Sequence, residues 1–302
     1  MGKIIVLASI SMDIIARTPT LPQPGETLFG HELHYIPGGK GDNQAVAASR
    51  LRDGVLMIGR IGDDGFGRDV KAFLSKENLD LTYLKIDPEA PTGIAIIAVD
   101  DNSENAIIVI SAANMEVVPE DVADVPIASD DVVVAPFEVP QEATKALFER
   151  AKAAGATTVI NPAPAKPFIA GLQELVDVLI VNETELAIFS GMPVDDITPE
   201  ALEGPMREMR VRDDQIIVVT LGGAGVVYLD GEERVHVPGR KVKAIDTTGA
   251  GDCFTGALAT ALSEQMPLAQ AVHFANTAAS LSVQKIGASA SMPYRADVDA
   301  AL

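Results

Sequence analysis

The chain has no tryptophan and a single cysteine, Cys253. One cysteine cannot close an internal disulfide, which excludes the cross-linked secreted scaffolds and fits a reducing cytoplasm. Cations are also scarce: 23 Lys and Arg stand against 43 Asp and Glu, a formal net charge of -20. Nucleic-acid backbones and anionic membrane surfaces are bound by clustered Lys and Arg, so neither is expected as a partner. Phosphate-bearing small molecules remain open, because backbone N–H groups bind phosphate without net positive charge. No apolar run approaches the roughly 18–20 residues of a membrane span. The opening Met1-Gly2-Lys3-Ile4-Ile5-Val6-Leu7-Ala8 carries one cation and a short apolar run that ends before Asp13. It reads as a buried first strand rather than a signal peptide.

What the chain does have is aliphatic side chains. Apolar residues make up 47% of its 302 residues, enough for a large core built with few aromatics. The length fits one large α/β domain or two smaller ones. Strand-like runs alternate with helical ones. Strands are expected at Lys3–Ala8, Val55–Arg60, Asp131–Ala135, Thr157–Ile160, Asp177–Val181 and Gln215–Leu221. Helices are expected at Asp42–Leu51, Gly67–Lys76, Gln141–Ala153 and Glu183–Phe189. Continuous runs such as Val132-Val133-Val134 and Ile216-Ile217-Val218-Val219 are typical of strands covered on both faces. A mostly parallel sheet between helical layers follows.

Two regions break the alternation. Residues of about 11–37 hold Pro19, Pro22, Pro24, Gly25 and Gly30 without a helical period. Residues of about 92–111 read as two strands, Gly93–Val99 and Asn105–Ile110, around the turn Asp100-Asp101-Asn102-Ser103. A further hairpin, Val226–Leu229 with Glu233–Val237, is expected around Asp230-Gly231.

Near the C-terminus a strand-like segment ends at Ala244–Asp246, and Thr247-Thr248-Gly249-Ala250-Gly251 forms a small-residue turn. Asp252 then begins a helix whose apolar positions are Phe254, Ala257, Leu258, Ala261 and Leu262. The first N–H groups of a helix lack internal partners, and with the helix dipole they make an anion site. A carboxylate there can take a proton from a hydroxyl, so phosphoryl transfer would find donors and base together. From this segment alone, Asp252 reads first as a helix cap and only second as a catalytic base. Pro37-Gly38-Gly39-Lys40-Gly41-Asp42-Asn43-Gln44-Ala45 is a second glycine turn into a helix, either an ordinary turn or a ligand site. It does not satisfy the Walker A pattern, and no G-x-G-x-x-G follows the first strand. The histidines His31, His34, His236 and His273 lack metal-ligand spacing, and Cys253 reads as a small buried helix residue.

Gly38–Ala45 resembles the N-terminal signature of the ribokinase-like, phosphofructokinase-B type family of carbohydrate kinases, and Asp246–Asp252 its C-terminal signature. Ser11-Met12-Asp13, Pro24-Gly25-Glu26-Thr27, Gly59-Arg60-Ile61-Gly62-Asp63-Asp64, Asn161-Pro162-Ala163-Pro164, Asn182-Glu183-Thr184-Glu185, Thr220-Leu221-Gly222 and the stretch from Gly287-Ala288 to Ser291-Met292-Pro293 resemble it in the same order. The resemblance covers almost the whole chain. It implies a single domain over 1–302, a three-layer α/β/α sandwich with a mostly parallel central sheet. A small β-sheet lid would come from about 11–37 and 92–111.

The implied activity is ATP-dependent phosphorylation of a sugar, D-ribose at its 5-hydroxyl first, with ribose 5-phosphate and ADP as products. Another sugar, a sugar acid or a nucleoside is the alternative substrate, and a non-catalytic nucleotide or sugar sensor the alternative class. The resemblance makes Asp252 the base and the backbone of Gly249, Ala250 and Gly251 the anion hole. It assigns the sugar to Asp13, Gly39, Asn43, Glu138 and Asp252, and the nucleotide to Asn182, Thr220, Gly222, Gly225 and Asn276. Glu185 would organise Mg²⁺ and phosphate through water. K⁺ would sit at Asp246, Thr248, Ser282, Lys285, Gly287 and Ser291. A cytoplasmic homodimer joined through the lid is implied as well. The chain departs from the family at Asp42, where a small residue is usual, at Ser111-Ala112-Ala113-Asn114, where Gly-Ala-Asn is common, and at Leu51-Arg52-Asp53-Gly54. The departures bear on which sugar is read and leave phosphoryl transfer untouched.

Overall fold

The computed structural model describes residues 2–102 and 104–302. Met1 and Ser103, the last residue of the expected hairpin turn, lie outside the described residues. In chain order, β1 (Ile4–Leu7) is followed by β2 (Ser11–Arg17) and β3 (Glu32–Gly38). Then come α1 (Lys40–Leu51), β4 (Val55–Gly62), α2 (Gly65–Leu74) and β5 (Leu79–Asp87). The hairpin β6 (Gly93–Val99) and β7 (Asn105–Ile110) precedes β8 (Val132–Pro136), α3 (Gln141–Ala154) and β9 (Thr157–Asn161). The chain continues through β10 (Val178–Asn182), α4 (Glu183–Ser190), α5 (Pro199–Met209), β11 (Ile216–Thr220), β12 (Gly225–Asp230) and β13 (Glu233–Pro238). Three helices close it: α6 (Ala250–Ser263), α7 (Leu268–Ser282) and α8 (Arg295–Ala301).

Nine strands form one sheet in the order β13-β12-β11-β10-β9-β8-β1-β4-β5. It is parallel from β11 to β5, and β12 and β13 add an antiparallel edge. Strand period two sorts the side chains. Ile4, Val6, Val55 and Met57 pack into one core with α1, α6 and α7, and Ile5, Leu7, Leu56 and Ile58 into another with α3 and α5. Each fully buried Val, Leu or Ile is worth about 1.5–3 kcal/mol, so the sheet holds its helices from both faces. β3-β2-β6-β7 make a separate four-stranded sheet, with β2 and β6 parallel at its centre. The expected three-layer fold with a small accessory sheet is present.

The differences have local causes. β5 and helix α5 were not anticipated. β5 reads Leu-Asp-Leu-Thr-Tyr-Leu-Lys-Ile-Asp and is a half-exposed edge strand, so it lacks the continuous apolar run of its neighbours. Helix α5 contains Gly204 and Pro205, both helix-breaking signals, yet Leu202, Met206 and Met209 bury one face. The segment ending at Ala244–Asp246 is irregular rather than a strand. The N–H groups of Ile245 and Asp246 donate to the Val283 carbonyl at the end of α7, at 2.7 and 3.2 Å, instead of to a sheet neighbour. Prolines 19, 22 and 24 lie in the loop between β2 and β3, so they do not prevent either strand. Asn114 replaces a strand neighbour for the link from β1 to β2: its Oδ1 accepts from Ile10 N–H and its Nδ2 donates to Ile10 C=O, both at 2.8 Å.

The contact between α1 and α6 decides where the chemistry sits. A Cβ at Gly256 would collide with the Gln44 carbonyl oxygen and lie 2.8 Å from the Ala47 Cβ. Only glycine lets the two helices approach this closely at that point. Gly256→Ala is expected to cost about 1–3 kcal/mol of stability through overpacking. Urea denaturation measures it; a midpoint equal to wild type would show that the contact is not tight.

Candidate active site

Parallel strands place their following loops at one edge of the sheet, and the expected site residues collect there. Ser9 follows β1, Glu138 follows β8, Asn161 and Asn182 end β9 and β10, and Thr220 ends β11. The N-termini of α1 and α6 face this edge.

Asp252 is in the first turn of α6 and is 5% exposed. Asn43 Nδ2 donates to its Oδ2 and Gln44 Nε2 to its Oδ1, both at 3.0 Å. Each carboxylate oxygen thus has an amide donor from the first turn of α1. Burial raises the Asp252 carboxyl, while the Lys40 charge and the two amides oppose that rise and Glu138 adds to it. Lys40 is in turn held above its ordinary value by Asp252 first, against burial, with Glu138 and Glu185 adding. The result is a buried carboxylate facing one cation, poised to accept a proton.

Gly249 caps α6 with φ of 73°, in the left-handed region that favours glycine. The Ala250 N–H donates to Thr247 C=O at 3.2 Å and the Cys253 N–H to Gly249 C=O at 2.8 Å. Among the described residues, the N–H groups of Gly249, Gly251 and Asp252 have no acceptor. The free donors are therefore 249, 251 and 252, whereas Ala250, one of the three expected, is engaged with the turn.

The polar cluster extends across the edge. Glu138 accepts from Ser9 Oγ at 2.7 Å and from Lys40 N–H at 3.0 Å, and Ser9 Oγ accepts from Gly41 N–H at 3.1 Å. Gly39, the residue before α1, has φ of 99°. Asp13 on β2 reaches in from the small sheet and accepts from Ser11 Oγ at 3.1 Å. Its carboxyl is pushed up to about 6, mainly by burial and further by Glu138 and Asp252, with Ser11 opposing. Asp13, Gly39, Asn43, Glu138 and Asp252 are thus brought together.

A cleft of ≈ 240 Å³ runs from the α6 N-terminus between β12 and α7. Thr220, Gly222, Gly225 and Asn276 line it, with Val226 and Phe254 supplying apolar wall. Asn276 is held by donating to Pro238 C=O at 2.9 Å. Asn182 and Glu185 are not in that lining. They form a reciprocal cap on α4: Glu185 N–H donates to Asn182 Oδ1 at 2.7 Å, and Asn182 N–H to Glu185 Oε2 at 2.9 Å. Burial raises the Glu185 carboxyl, with Asn182 N–H and Lys40 opposing and Asp252 adding.

Asp246 ties together the two loops expected to hold a cation. Its Oδ1 accepts from Thr248 N–H at 2.9 Å and Thr248 Oγ1 at 2.6 Å, and its Oδ2 from Gly287 N–H at 2.9 Å. Burial works against this carboxylate, yet those hydrogen bonds hold it below its ordinary range. Ser282 C=O accepts from Lys285 N–H at 3.1 Å, and Ser291 Oγ donates to Ala288 C=O at 2.8 Å. Among the described residues no group of three His, Cys, Asp or Glu is placed to hold a metal ion. Cys253 is fully buried beside the base, and burial pushes its thiol up to about 12, which makes it inert.

Sequence reasoning assigned no role to Lys40, Gln44, Ser9 or Asn161. Gln44 and Lys40 lie inside the glycine-turn motif, and helical spacing puts the side chains of 40, 43 and 44 on one face. That signal was available; Ser9 carried none.

The comparisons with known proteins agree with this geometry. A family model described as pfkB family carbohydrate kinase matches residues 1–295. The ribokinase of Staphylococcus aureus is 38% identical over 302 residues, covering 99% of each chain. A deoxyribokinase of Salmonella typhi is 35% identical over 299 residues, covering 96% of this chain and 95% of its own. The structure of Arabidopsis thaliana ribokinase complexed with ribose and ATP superposes with a TM-score of 0.89 at 29% identity, covering 99% of this chain and 98% of that one. Matched over nearly its whole length in both sequence and structure, the chain belongs to the pfkB family of carbohydrate kinases.

Proposed function

We propose that the protein transfers the γ-phosphoryl group of ATP to the 5-hydroxyl of D-ribose, giving ribose 5-phosphate and ADP. The observation that carries the reading is Asp252, a buried carboxylate oriented by two amides beside the free N–H groups of a helix start. A hydroxyl presented to Asp252 gives up its proton as its oxygen bonds to the γ-phosphorus. The bond from that phosphorus to the bridging oxygen breaks, and its electron pair leaves on ADP. The free N–H groups of 249, 251 and 252 face the charge that develops on the transferring group. Full-length likeness to ribokinases from a bacterium, a mammal and a plant supports ribose, as does the convergence of Asp13, Asn43 and Glu138 beside Asp252. The deoxyribokinase relative supports a second reading, a sugar lacking one hydroxyl, because the buried carboxylates that read hydroxyls set the choice.

The nucleotide occupies the cleft lined by Thr220, Gly222, Gly225 and Asn276. Glu185, with one carboxylate oxygen left free, is the protein group that would hold the waters of a Mg²⁺ bound with the phosphates, and that ion would supply charge neutralisation. The Asp246 carboxylate with hydroxyl or backbone carbonyl oxygens of Thr248, Ser282, Lys285, Gly287 and Ser291 would supply oxygen ligands for a hard monovalent cation, K⁺, beside the anion hole. The chain forms one domain in which β2, β3, β6 and β7 act as a lid that excludes water. All of β7 is exposed, including Ile107, Ile108, Val109 and Ile110, which supports a homodimer joined through the lids. No helix among the described residues is long and apolar enough to cross a membrane. Dependence on ATP and a single buried thiol support the cytoplasm as the protein's compartment.

Release of ADP with Mg-ATP and a panel of ribose, deoxyribose, fructose, ketodeoxygluconate and nucleosides tests the reading. Ribose is expected to give the highest kcat/KM; preference for another member would move the specificity, and no ADP with any member would defeat the kinase reading. Asp252→Asn is expected to bind ATP as wild type does and to lose about 10²–10⁴-fold in turnover. Turnover within a few-fold of wild type would remove Asp252 from the mechanism. K⁺ is expected to raise the rate above that in Na⁺ or choline at equal ionic strength, and equal rates in the three salts would count against the cation site.

A further inference from the structure

Asp42 sits in the first turn of α1, is 0% exposed, and has no part in the mechanism above. Its hydrogen-bond partner is Ser289, also 0% exposed, in the turn Ser289–Ser291 that follows the loop at Gly287. The Ser289 hydroxyl lies 2.7 Å from Asp42 Oδ2 and 2.6 Å from Asn43 Oδ1. Both neighbours are oxygens at full hydrogen-bond distance, and a hydroxyl has a single hydrogen to donate. One of the two contacts therefore needs a proton from the other side. The Asn43 carbonyl oxygen has none, because the amide nitrogen of Asn43 faces Asp252. Turning that amide over would set two oxygens against each other at the base. The proton consequently belongs to Asp42.

We infer that Asp42 is a positioning residue of this active site: as a neutral acid it donates to Ser289, which obliges Ser289 to donate to Asn43 and Asn43 to donate to Asp252. Every donor in the chain then points toward Asp252, which is presented as a carboxylate in a fixed orientation. The second Asp42 oxygen, Oδ1, has no hydrogen-bond partner. A buried carbonyl oxygen bears that better than half of a carboxylate does. The surroundings favour the neutral form. Burial pushes the Asp42 carboxyl up to about 8, with Ser289 opposing and Asp13 on β2, Glu77 beyond α2 and Asp252 on α6 adding. The nearby cation on α1, Arg50, is committed to Glu77 at 2.7 Å.

Ionised Asp42 would reverse the chain. Ser289 would turn its hydrogen to the carboxylate, the Asn43 oxygen would lose its donor, and the amide would no longer be fixed against the base. Loss of turnover on the alkaline side follows.

The inference rests on Asp252 acting as the base, and its test is arranged to separate the two. An acid whose pKa is higher folded than unfolded binds its proton more strongly in the folded state. Its stabilising contribution is complete below the ordinary value of 3.8 and is lost as pH rises through about 8. Asp42→Asn keeps a donor for Ser289 and cannot ionise. Its melting temperature relative to wild type is therefore expected to rise by about 2 °C or more between about pH 5 and about pH 8, and to level off above that. This comparison needs no turnover, so it decides the ionisation of Asp42 even if no sugar in the panel is phosphorylated. In kinetics, wild-type kcat is expected to fall about tenfold between about pH 7 and about pH 9, as the amide loses its orientation. Asp42→Asn is expected to keep its turnover across that range, and Ser289→Ala to have a lower kcat already at neutral pH. A melting difference that stays constant with pH, or an alkaline fall in Asp42→Asn as steep as in wild type, overturns the inference.

Discussion

Two helices meet at their first turns, and a carboxylate stands between them. Burying a charge is costly unless its oxygens are paired. Asp252 has that pairing from Asn43 and Gln44 on α1, and its own helix supplies free N–H groups on the other side. The arrangement holds only while α1 and α6 touch at the backbone, which Gly256 permits against Gln44 and Ala47. Much of the site geometry follows. Once α1 is fixed, Lys40 and its backbone N–H face Glu138, and Ser9 bridges Glu138 to the same helix start. The cluster is a set of carboxylates with few cations, and amides, hydroxyls and N–H groups keep them in place. This suits a catalyst that has to hold a sugar's hydroxyls while still accepting a polyanionic nucleotide.

The small sheet is coupled to the same point. The link from β1 to β2 is fixed by the side-chain amide of Asn114, and β2 then carries Asp13 to within the electrostatic reach of Asp252 and Glu138. Tyr35 of β3 rests near the ring of Phe66 in α2, with centroids 6.0 Å apart. The sheet is thus attached to the body at its root while its far strand, β7, stands in solvent. An element anchored at one side and free at the other is suited to hinge motion.

Much of the fold was legible because a strand covered on both faces has no choice but an unbroken aliphatic run. Val132–Val134 and Ile216–Val219 showed it plainly; β5, half-exposed, and α5, with Gly204 and Pro205 inside, did not. The helix start at Asp252 was legible too, but its local chemistry fits a cap as well as a base, and resemblance to a family carried that step. The partners of Asp252 were not legible. Asn43 and Gln44 are more than two hundred positions away in the chain, and no spacing rule reaches across such a separation. The same holds for Ser289, which meets Asp42 and Asn43 only because α1 and the last loops of the chain are packed together. Ala112 adopts a φ of 46°, in the left-handed region that glycine enters most easily, and nothing in its residue type announces that.

The edges of the two sheets differ in a way that matters beyond catalysis. β5 carries Asp80, Lys85 and Asp87, and β13 carries Glu233, Arg234 and His236, so both outer strands of the main sheet are guarded by charge. β7 reads Asn-Ala-Ile-Ile-Val-Ile and has no charge at all. A flat, uncharged outer strand is a template on which further chains can pair. The net charge of -20 keeps copies apart in general, and these six uncharged residues at one rim are where that protection is locally weakest. Conditions or truncations that leave this rim uncovered would favour fibrous or amorphous association over loss of the nine-stranded core.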